Sequence, residues 1–245
     1  MTLSQCFKVR HFILAAALTA SLGLVNHANA QGDPVLVDLN TRAVTPLGTL
    51  GGYWEQPYDI NDSGQVVGWS GDSLEDKRAF ITGPNGIGMR DLGTLGGNWS
   101  EAYGINDTGQ VVGFSYATEG PPHAFITGPD GIGMRDLGTL GGGGGSDYSF
   151  AHGINDAGQG VGYSRAEGYY NHHAFITSPD GEGMTDLNSL VDLPQGWVIA
   201  EAWGINNNGQ IIAVVPEPQT YGLLLAGLGL IWFVAGRKKA ENQAQ

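Results

Sequence analysis

Three groups of residues in this 245-residue chain have types and spacings that could do chemistry. The first is Gly162-Tyr163-Ser164-Arg165-Ala166, one position short of the Gly-x-Ser-x-Gly turn that presents a nucleophilic serine. The same Gly-aromatic-Ser phrase stands at Gly68–Ser70 and Gly113–Ser115, so Ser164 reads as a recurring structural position. The second is His152, His172 and His173, whose imidazoles could bind zinc, but no His-Glu-x-x-His or Cys/His spacing accompanies them. Asp59-x-Asn61-x-Ser63-Gly64 begins like a calcium loop, yet Ser70 stands where the bidentate Glu belongs, and Gly104, Gly153 and Gly204 replace the leading Asp in the other copies. A hairpin turn is the better reading there, and no metal or cofactor is expected. The third group is aromatic. Trp54, Trp99 and Tyr148 stand six residues before Ile60, Ile105 and Ile154, and Tyr58, Tyr103, His152 and Trp203 stand two residues before those isoleucines and Ile205. Either set could fill the space between repeated units, or face solvent and stack on the apolar faces of sugar rings. Tyr169 and Tyr170, in a loop that differs in length from its counterparts, join Trp54, Trp99 and Tyr148 as carbohydrate-binding candidates.

Those positions recur because the chain repeats itself. Leu47-Gly-Thr-Leu-Gly-Gly52 returns at Leu92–Gly97 and Leu137–Gly142, and in a worn form at Leu187–Leu190. The phrase Ile60-Asn-Asp-Ser-Gly-Gln65 returns at Ile105–Gln110, Ile154–Gln159 and Ile205–Gln210, with isoleucines 45, 49 and 51 residues apart. Arg78-Ala-Phe-Ile-Thr82 returns as His123–Thr127 and His173–Thr177. Away from the ends, no stretch free of Gly and Pro exceeds 11 residues, which leaves no room for helices of ordinary length. Short strands remain, joined by Asn-Asp-x-Gly and Pro-Asp/Asn-Gly turns. Four strands in about 45 residues suit a propeller blade, and one such sheet cannot bury its face alone. The expectation is an all-β domain at 31–214 made of four-stranded antiparallel units at about 34–70, 78–115, 123–164 and 173–214, closed into a small four-blade β-propeller; the alternatives are a β-solenoid with two coils per repeat and an open array that needs a partner. Val35–Leu39 would replace the Ala-Phe-Ile-Thr strand missing from the first unit, and Gly68, Gly113 and Gly162 would permit close approach near the axis.

The two ends read as addresses. Lys8, Arg10 and His11, the apolar run Phe12–Val25 and the small-x-small site Ala28-Asn29-Ala30 make residues 1–30 a secretory signal peptide cut after Ala30. Cys6, the single cysteine, lies inside it, so the mature chain has no disulfide. At the other end Val215-Pro216-Glu217-Pro218 precedes an uncharged segment, 221–236, then Arg237, Lys238 and Lys239 and a polar tail, 240–245. Sixteen helical residues span roughly 24 Å against a hydrocarbon layer of roughly 30 Å. Snorkelling basic residues and interfacial Tyr221 and Trp232 allow it to cross the inner membrane, with the positive cluster in the cytoplasm. Between the ends, residues 31–215 carry 22 acidic against 6 basic side chains, a surface that repels nucleic acid.

Residues 215–239 resemble the PEP-CTERM sorting signal of Gram-negative bacteria, on Val215, Pro216, Glu217, Pro218, Arg237, Lys238 and Lys239 in that order. The resemblance implies recognition by an exosortase, a membrane protease-transpeptidase, and an association with extracellular polysaccharide or biofilm. The Arg/His-Ala-Phe-Ile-Thr and Ile-Asn-Asp/Asn-x-Gly-Gln phrases resemble the HAF-type extracellular repeat, although Arg78 stands where that family prefers histidine. Together they lead to the expectation of a non-enzymatic, secreted or surface-held structural or adhesive protein, in contact with polysaccharide and anchored in the membrane before processing. The alternatives are an extracellular hydrolase or lyase acting on matrix sugars and, more weakly, an ice-binding surface, for which a regular Thr-x-Thr array is missing.

Overall fold

Val66-Val67, Val111-Val112 and Ile211-Ile212 are consecutive apolar pairs, as are Phe80-Ile81, Phe125-Ile126 and Phe175-Ile176. Successive side chains of a strand point to opposite faces, so such pairs need cover on both faces of their sheet. The computed structural model, which describes residues 33–72, 76–141, 145–166 and 172–216, meets that need for every pair except Ile211-Ile212, whose Ile212 is exposed, by stacking one sheet on the next. The chain divides into two compact units, 1–32 and 33–245, and all that follows belongs to the second. Ala28 and Ala30 of the signal-peptide reading, Tyr169 and Tyr170, and Glu217, Pro218, Arg237, Lys238, Lys239 and the segment 221–236 of the sorting reading lie outside the described residues.

Strands β1 (Val35–Asp38) and β2 (Ala43–Pro46) form an antiparallel hairpin. Next come three four-stranded antiparallel sheets, each in sequence order. The first holds β3 (Glu55–Ile60), β4 (Val66–Gly71), β5 (Lys77–Ile81) and β6 (Arg90–Gly93). The second holds β7 (Gly96–Ile105), β8 (Val111–Ala117), β9 (Pro122–Ile126) and β10 (Arg135–Asp136). The third holds β11 (Ser149–Ile154), β12 (Gly160–Arg165), β13 (His172–Thr177) and β14 (Met184–Asp186). A last hairpin pairs β15 (Glu201–Ile205) with β16 (Ile211–Val214). No α-helix occurs among the described residues.

These sheets correct two expectations. Their boundaries fall out of phase with units 34–70, 78–115, 123–164 and 173–214, because the Gln-Val-Val-Gly strand pairs onward with the Ala-Phe-Ile-Thr strand rather than ending a unit. The Leu-Gly-Thr-Leu-Gly-Gly phrase is instead the connector between sheets: Thr94 Oγ1 donates to Gly97 O and accepts from Gly96 N. The first and last hairpins therefore remain separate two-stranded sheets, and no closed four-blade ring forms among the described residues. Gly68, Gly113 and Gly162 also serve a different purpose from axial approach. A β-bulge in the preceding strand turns its carbonyl toward them, so that a Cβ would lie 2.0 Å from Gln56 O, 2.0 Å from Glu101 O and 1.9 Å from Phe150 O.

The core is layered between sheets. Leu47, Val66 and Phe80, with Leu36 and Met89, join the first hairpin to the first sheet. Val67, Ile81 and Leu92 on that sheet meet Ile105, Val111 and Phe125 of the second. Val112 and Ile126 then meet Ile154 and Phe175, and Val161 meets Ala202, Ile205 and Ile211. Polar rungs run beside the apolar layers. Asn61 Nδ2 donates to Asn106 O at 3.0 Å, Asn106 to Asn155 O at 3.0 Å and Asn155 to Asn206 O at 3.4 Å. The amides of Asp62, Asp107 and Asp156 donate to side-chain oxygens of Asp107, Asp156 and Asn207 at 3.0, 3.1 and 2.9 Å. The apparent calcium-loop residues are thus turn formers that also link neighbouring turns. The Arg/His-Ala-Phe phrase has a similar account: Arg78, His123 and His173 pair with Asp91, Asp136 and Asp186 across their hairpins, while Phe80, Phe125 and Phe175 are fully buried.

Gly113→Ala is expected to destabilise the domain by at least about 1–3 kcal/mol, because the added methyl meets backbone that the bulge fixes in place. Thermal unfolding followed by circular dichroism measures it; an unchanged midpoint would show that the bulge relaxes without cost.

Candidate functional site

Each of the four first strands carries a bulge at the residue two before its isoleucine. Register passes from Pro57 to Asp59, from Ala102 to Gly104, from Ala151 to Gly153 and from Ala202 to Gly204, leaving Tyr58, Tyr103, His152 and Trp203 as the extra residues. A bulge re-aims the side chain of its extra residue, and here it turns all four rings into one row. Tyr58 and Tyr103 centroids are 5.1 Å apart, Tyr103 and His152 5.2 Å, and His152 and Trp203 4.3 Å, the last two pairs being stacked. The row spans three complete sheets and the last hairpin.

Trp54, Trp99 and Tyr148 do not make a row of their own. Trp99 packs on Phe114 and Tyr116 and is 38% exposed, Tyr148 is half-buried against Phe150 and Tyr163, and Trp54 is 57% exposed. A third aromatic set, Trp69, Phe114 and Tyr163, the middle residues of the Gly-aromatic-Ser phrases, flanks the row: Trp69 Nε1 donates to Tyr58 Oη at 3.3 Å, and Phe114 and Tyr163 reach Trp99 and Tyr148. Phe114 lies 5.8 Å from Tyr103, and Tyr163 lies 5.5 Å from His152. Sequence reasoning treated the Gly-aromatic-Ser phrase as structural, although its aromatic recurs in three copies one ladder pair away from the bulge.

Charged groups gather at the same face. Glu101, buried on β7, accepts from Lys77 Nζ at 2.9 Å, Trp99 Nε1 at 3.0 Å, Tyr103 Oη at 3.1 Å and Tyr58 Oη at 3.4 Å. It clamps four side chains from three strands. Lys77 Nζ lies over the rings of Trp69 and Trp99, 4.1 and 4.6 Å from their centroids, a cation–π arrangement that holds both indoles. Burial, reinforced by Glu101, raises the Tyr58 and Tyr103 hydroxyl pKa values, which keeps both phenols as donors. Further along, His172 Nε2 meets Glu201 at 3.0 Å with its ring against Tyr163. Glu101, Lys77 and Trp69 were missed in the sequence, because the repeat keeps Glu101 only as Glu201: Gln56 and Phe150 occupy the other corresponding sites.

The catalytic and metal candidates take ordinary roles. Ser70, Ser115 and Ser164 are fully buried, each accepting from the amide of Leu50, Leu95 or Leu140 and donating to the carbonyl of the following residue. His173 bonds Asp186 at 2.7 Å; burial would raise that carboxyl pKa, but the His173 and Asn188 bonds outweigh it and hold it below its usual value. No cluster of three His, Cys, Asp or Glu able to hold a metal occurs among the described residues.

Comparison with known proteins places residues 214–239 in the PEP-CTERM protein-sorting motif, which supports the exosortase sorting signal, secretion and membrane-associated processing. Val215 and Pro216 are the last described residues, directly after β16. No curated protein matches the chain. Among solved structures, a gluconolactonase from Xanthomonas campestris is similar at 11% identity and a TM-score of 0.40, covering 74% of this chain. The chain spans 61% of that enzyme's length.

His152 supplies a pH test. Burial between Tyr103 and Trp203 lowers its pKa from 6.5 to about 4, against a smaller opposing pull from Glu201, and its buried Nε2 has no hydrogen-bond partner among the described residues. Between those values the unfolded chain binds the proton and the folded one does not, so this group's contribution to stability falls as pH drops from about 6.5 to 4. His152→Phe should keep the stacking and reduce the acid loss over that window, read as the difference between the two proteins' denaturant midpoints against pH. Parallel pH profiles would contradict the assignment.

Proposed function

We propose that the mature protein is a non-enzymatic component of an extracellular polysaccharide matrix, delivered by exosortase-type sorting, and that the aromatic row is its glycan-binding surface. The observation that carries this reading is the row itself: Tyr58, Tyr103, His152 and Trp203 in successive contact, with Tyr58, Trp203, Trp99 and Trp54 between 38% and 57% exposed. Aromatic faces match the apolar faces of saccharides and lose little conformational entropy on binding. Glu101 and Lys77 restrain Trp69, Trp99, Tyr58 and Tyr103 before any ligand arrives, which lowers the cost of ordering them. A body with 22 acidic and 6 basic side chains in residues 31–215 favours an uncharged glycan over an anionic one. The phrases that resemble the HAF-type repeat, with the sorting motif behind them, support a location outside the cell.

Affinity electrophoresis through gels containing neutral polysaccharides tests the reading. Retardation is expected, with Tyr58→Ala, Trp99→Ala and Trp203→Ala each weakening it by on the order of 1 kcal/mol and the triple variant abolishing it. Release of reducing ends from the same polysaccharides would favour the hydrolase alternative, and unretarded migration in every glycan would remove the binding role.

A further inference from the structure

The first and last hairpins are complementary halves of one sheet. In each complete sheet the second strand pairs with the third, Val67 opposite Ile81, Val112 opposite Ile126 and Val161 opposite Ile176. Ile212 on β16 holds the second-strand position, since it pairs back to Gly204 as Val112 pairs to Gly104 and Val161 to Gly153. Leu36 on β1 holds the third-strand position, because Leu36 and Leu47 fill the space beside Gly86 that Ile81 and Leu92 fill beside Gly131. Thus β15–β16 lacks its second half and β1–β2 lacks its first.

Both halves show what is missing. Val67, Val112 and Val161 are fully buried, whereas Ile212 is 73% exposed; Phe80, Phe125 and Phe175 are buried, whereas Val35 at the equivalent site is exposed. Ile105 is covered by the sheet before it, but Ile60, its counterpart on β3, is exposed. The rungs end the same way. Asn206 Nδ2 donates to Gln210 and to no onward carbonyl, and at the opposite end Asn61 O receives no side-chain amide among the described residues. Gly209 faces open space where Gly64, Gly109 and Gly158 meet Asn85, Asp130 and Asp180.

We propose that a second copy of this chain supplies each missing half. The β16 strand of one copy pairs antiparallel with β1 of the next, Ile212 opposite Leu36, and the composite sheet β15–β16–β1–β2 packs between the third sheet of one copy and the first sheet of the other. Within one chain three complete sheets stand between the two hairpins, which share no ladder. In the composite, Ile212 covers Ile60, and Asn206 and Asn207 donate to Asn61 and Asp62 of the next copy. The contact is head-to-tail, so it propagates as a filament or closes as a ring of copies. It rests on the fold alone and is independent of the glycan reading.

Disulfide trapping in the full-length chain tests it, with Cys6→Ser removing the only native thiol. Residues 36 and 212 would form a non-hydrogen-bonded pair with Cα atoms about 4.5 Å apart, within disulfide range. Leu36→Cys and Ile212→Cys made in separate chains and mixed under oxidation should yield a two-chain product, and the doubly substituted chain a ladder of longer ones. Leu36→Cys with Ile211→Cys, one residue out of register and facing the other side, should cross-link at least tenfold less. Ile212→Asp, at an exposed site, should keep the circular dichroism spectrum of the parent and lose its association in sedimentation velocity. A doubly substituted chain that yields only a fast-migrating single-chain species would show that β16 reaches β1 of its own chain and overturn the proposal. Folded single variants that form no mixed product would overturn it as well.

Discussion

The second and third strands of each complete sheet are buried on both faces, and the rest of the structure depends on that requirement. A strand carrying Val66 and Val67, or Phe80 and Ile81, cannot turn one side to water without exposing a large apolar residue, so each sheet needs a sheet before it and a sheet after it. The cost of leaving one such side chain uncovered is about 1.5–3 kcal/mol, comparable with a sizeable part of a domain's net stability. Burial sets the layering but has no direction. The asparagine and aspartate rungs supply it, since the Asn61, Asn106 and Asn155 side chains and the Asp62, Asp107 and Asp156 amides all donate to the next turn along the chain and so fix how successive sheets are aligned.

The repeat made much of this legible in the sequence. Gly and Pro spacing excluded ordinary helices, Asn-Asp-x-Gly marked the hairpin between the first and second strands, and three of the four-stranded antiparallel sheets appeared. The phase of those sheets did not appear, because a repeat has no intrinsic start. Leu-Gly-Thr-Leu-Gly-Gly looks as much like a strand as like a connector until Ser70, Ser115 and Ser164 are seen to accept the amides of Leu50, Leu95 and Leu140. With the phase shifted, Val35–Asp38 does stand in the place of the missing Ala-Phe-Ile-Thr strand, but in a hairpin that lacks its first two strands, and the four-blade ring does not follow.

The site was legible in a similarly partial way. Spacing from the isoleucines marked out two aromatic sets, but it did not show that Tyr58, Tyr103, His152 and Trp203 are bulge residues and form the row, since a bulge depends on the partner strand's register. Nor did it show the clamp. Lys77 and Glu101 have a counterpart only in His172 and Glu201, with Pro122 and Phe150 standing at those positions between the other two sheets. The aromatic row is a by-product of the stack: the same bulges that force glycine at 68, 113 and 162 turn the ring of each extra residue into line.

Amide hydrogen exchange at two concentrations tests most directly whether the stack is open. At high dilution the slowest amides should lie in β8 and β9, in the middle sheet, with β1 and β16 exchanging orders of magnitude faster, and raising the concentration should protect β1 and β16 together. Protection of β1 and β16 equal to that of β8 at every dilution would mean that the chain closes on itself, and would contradict the open stack.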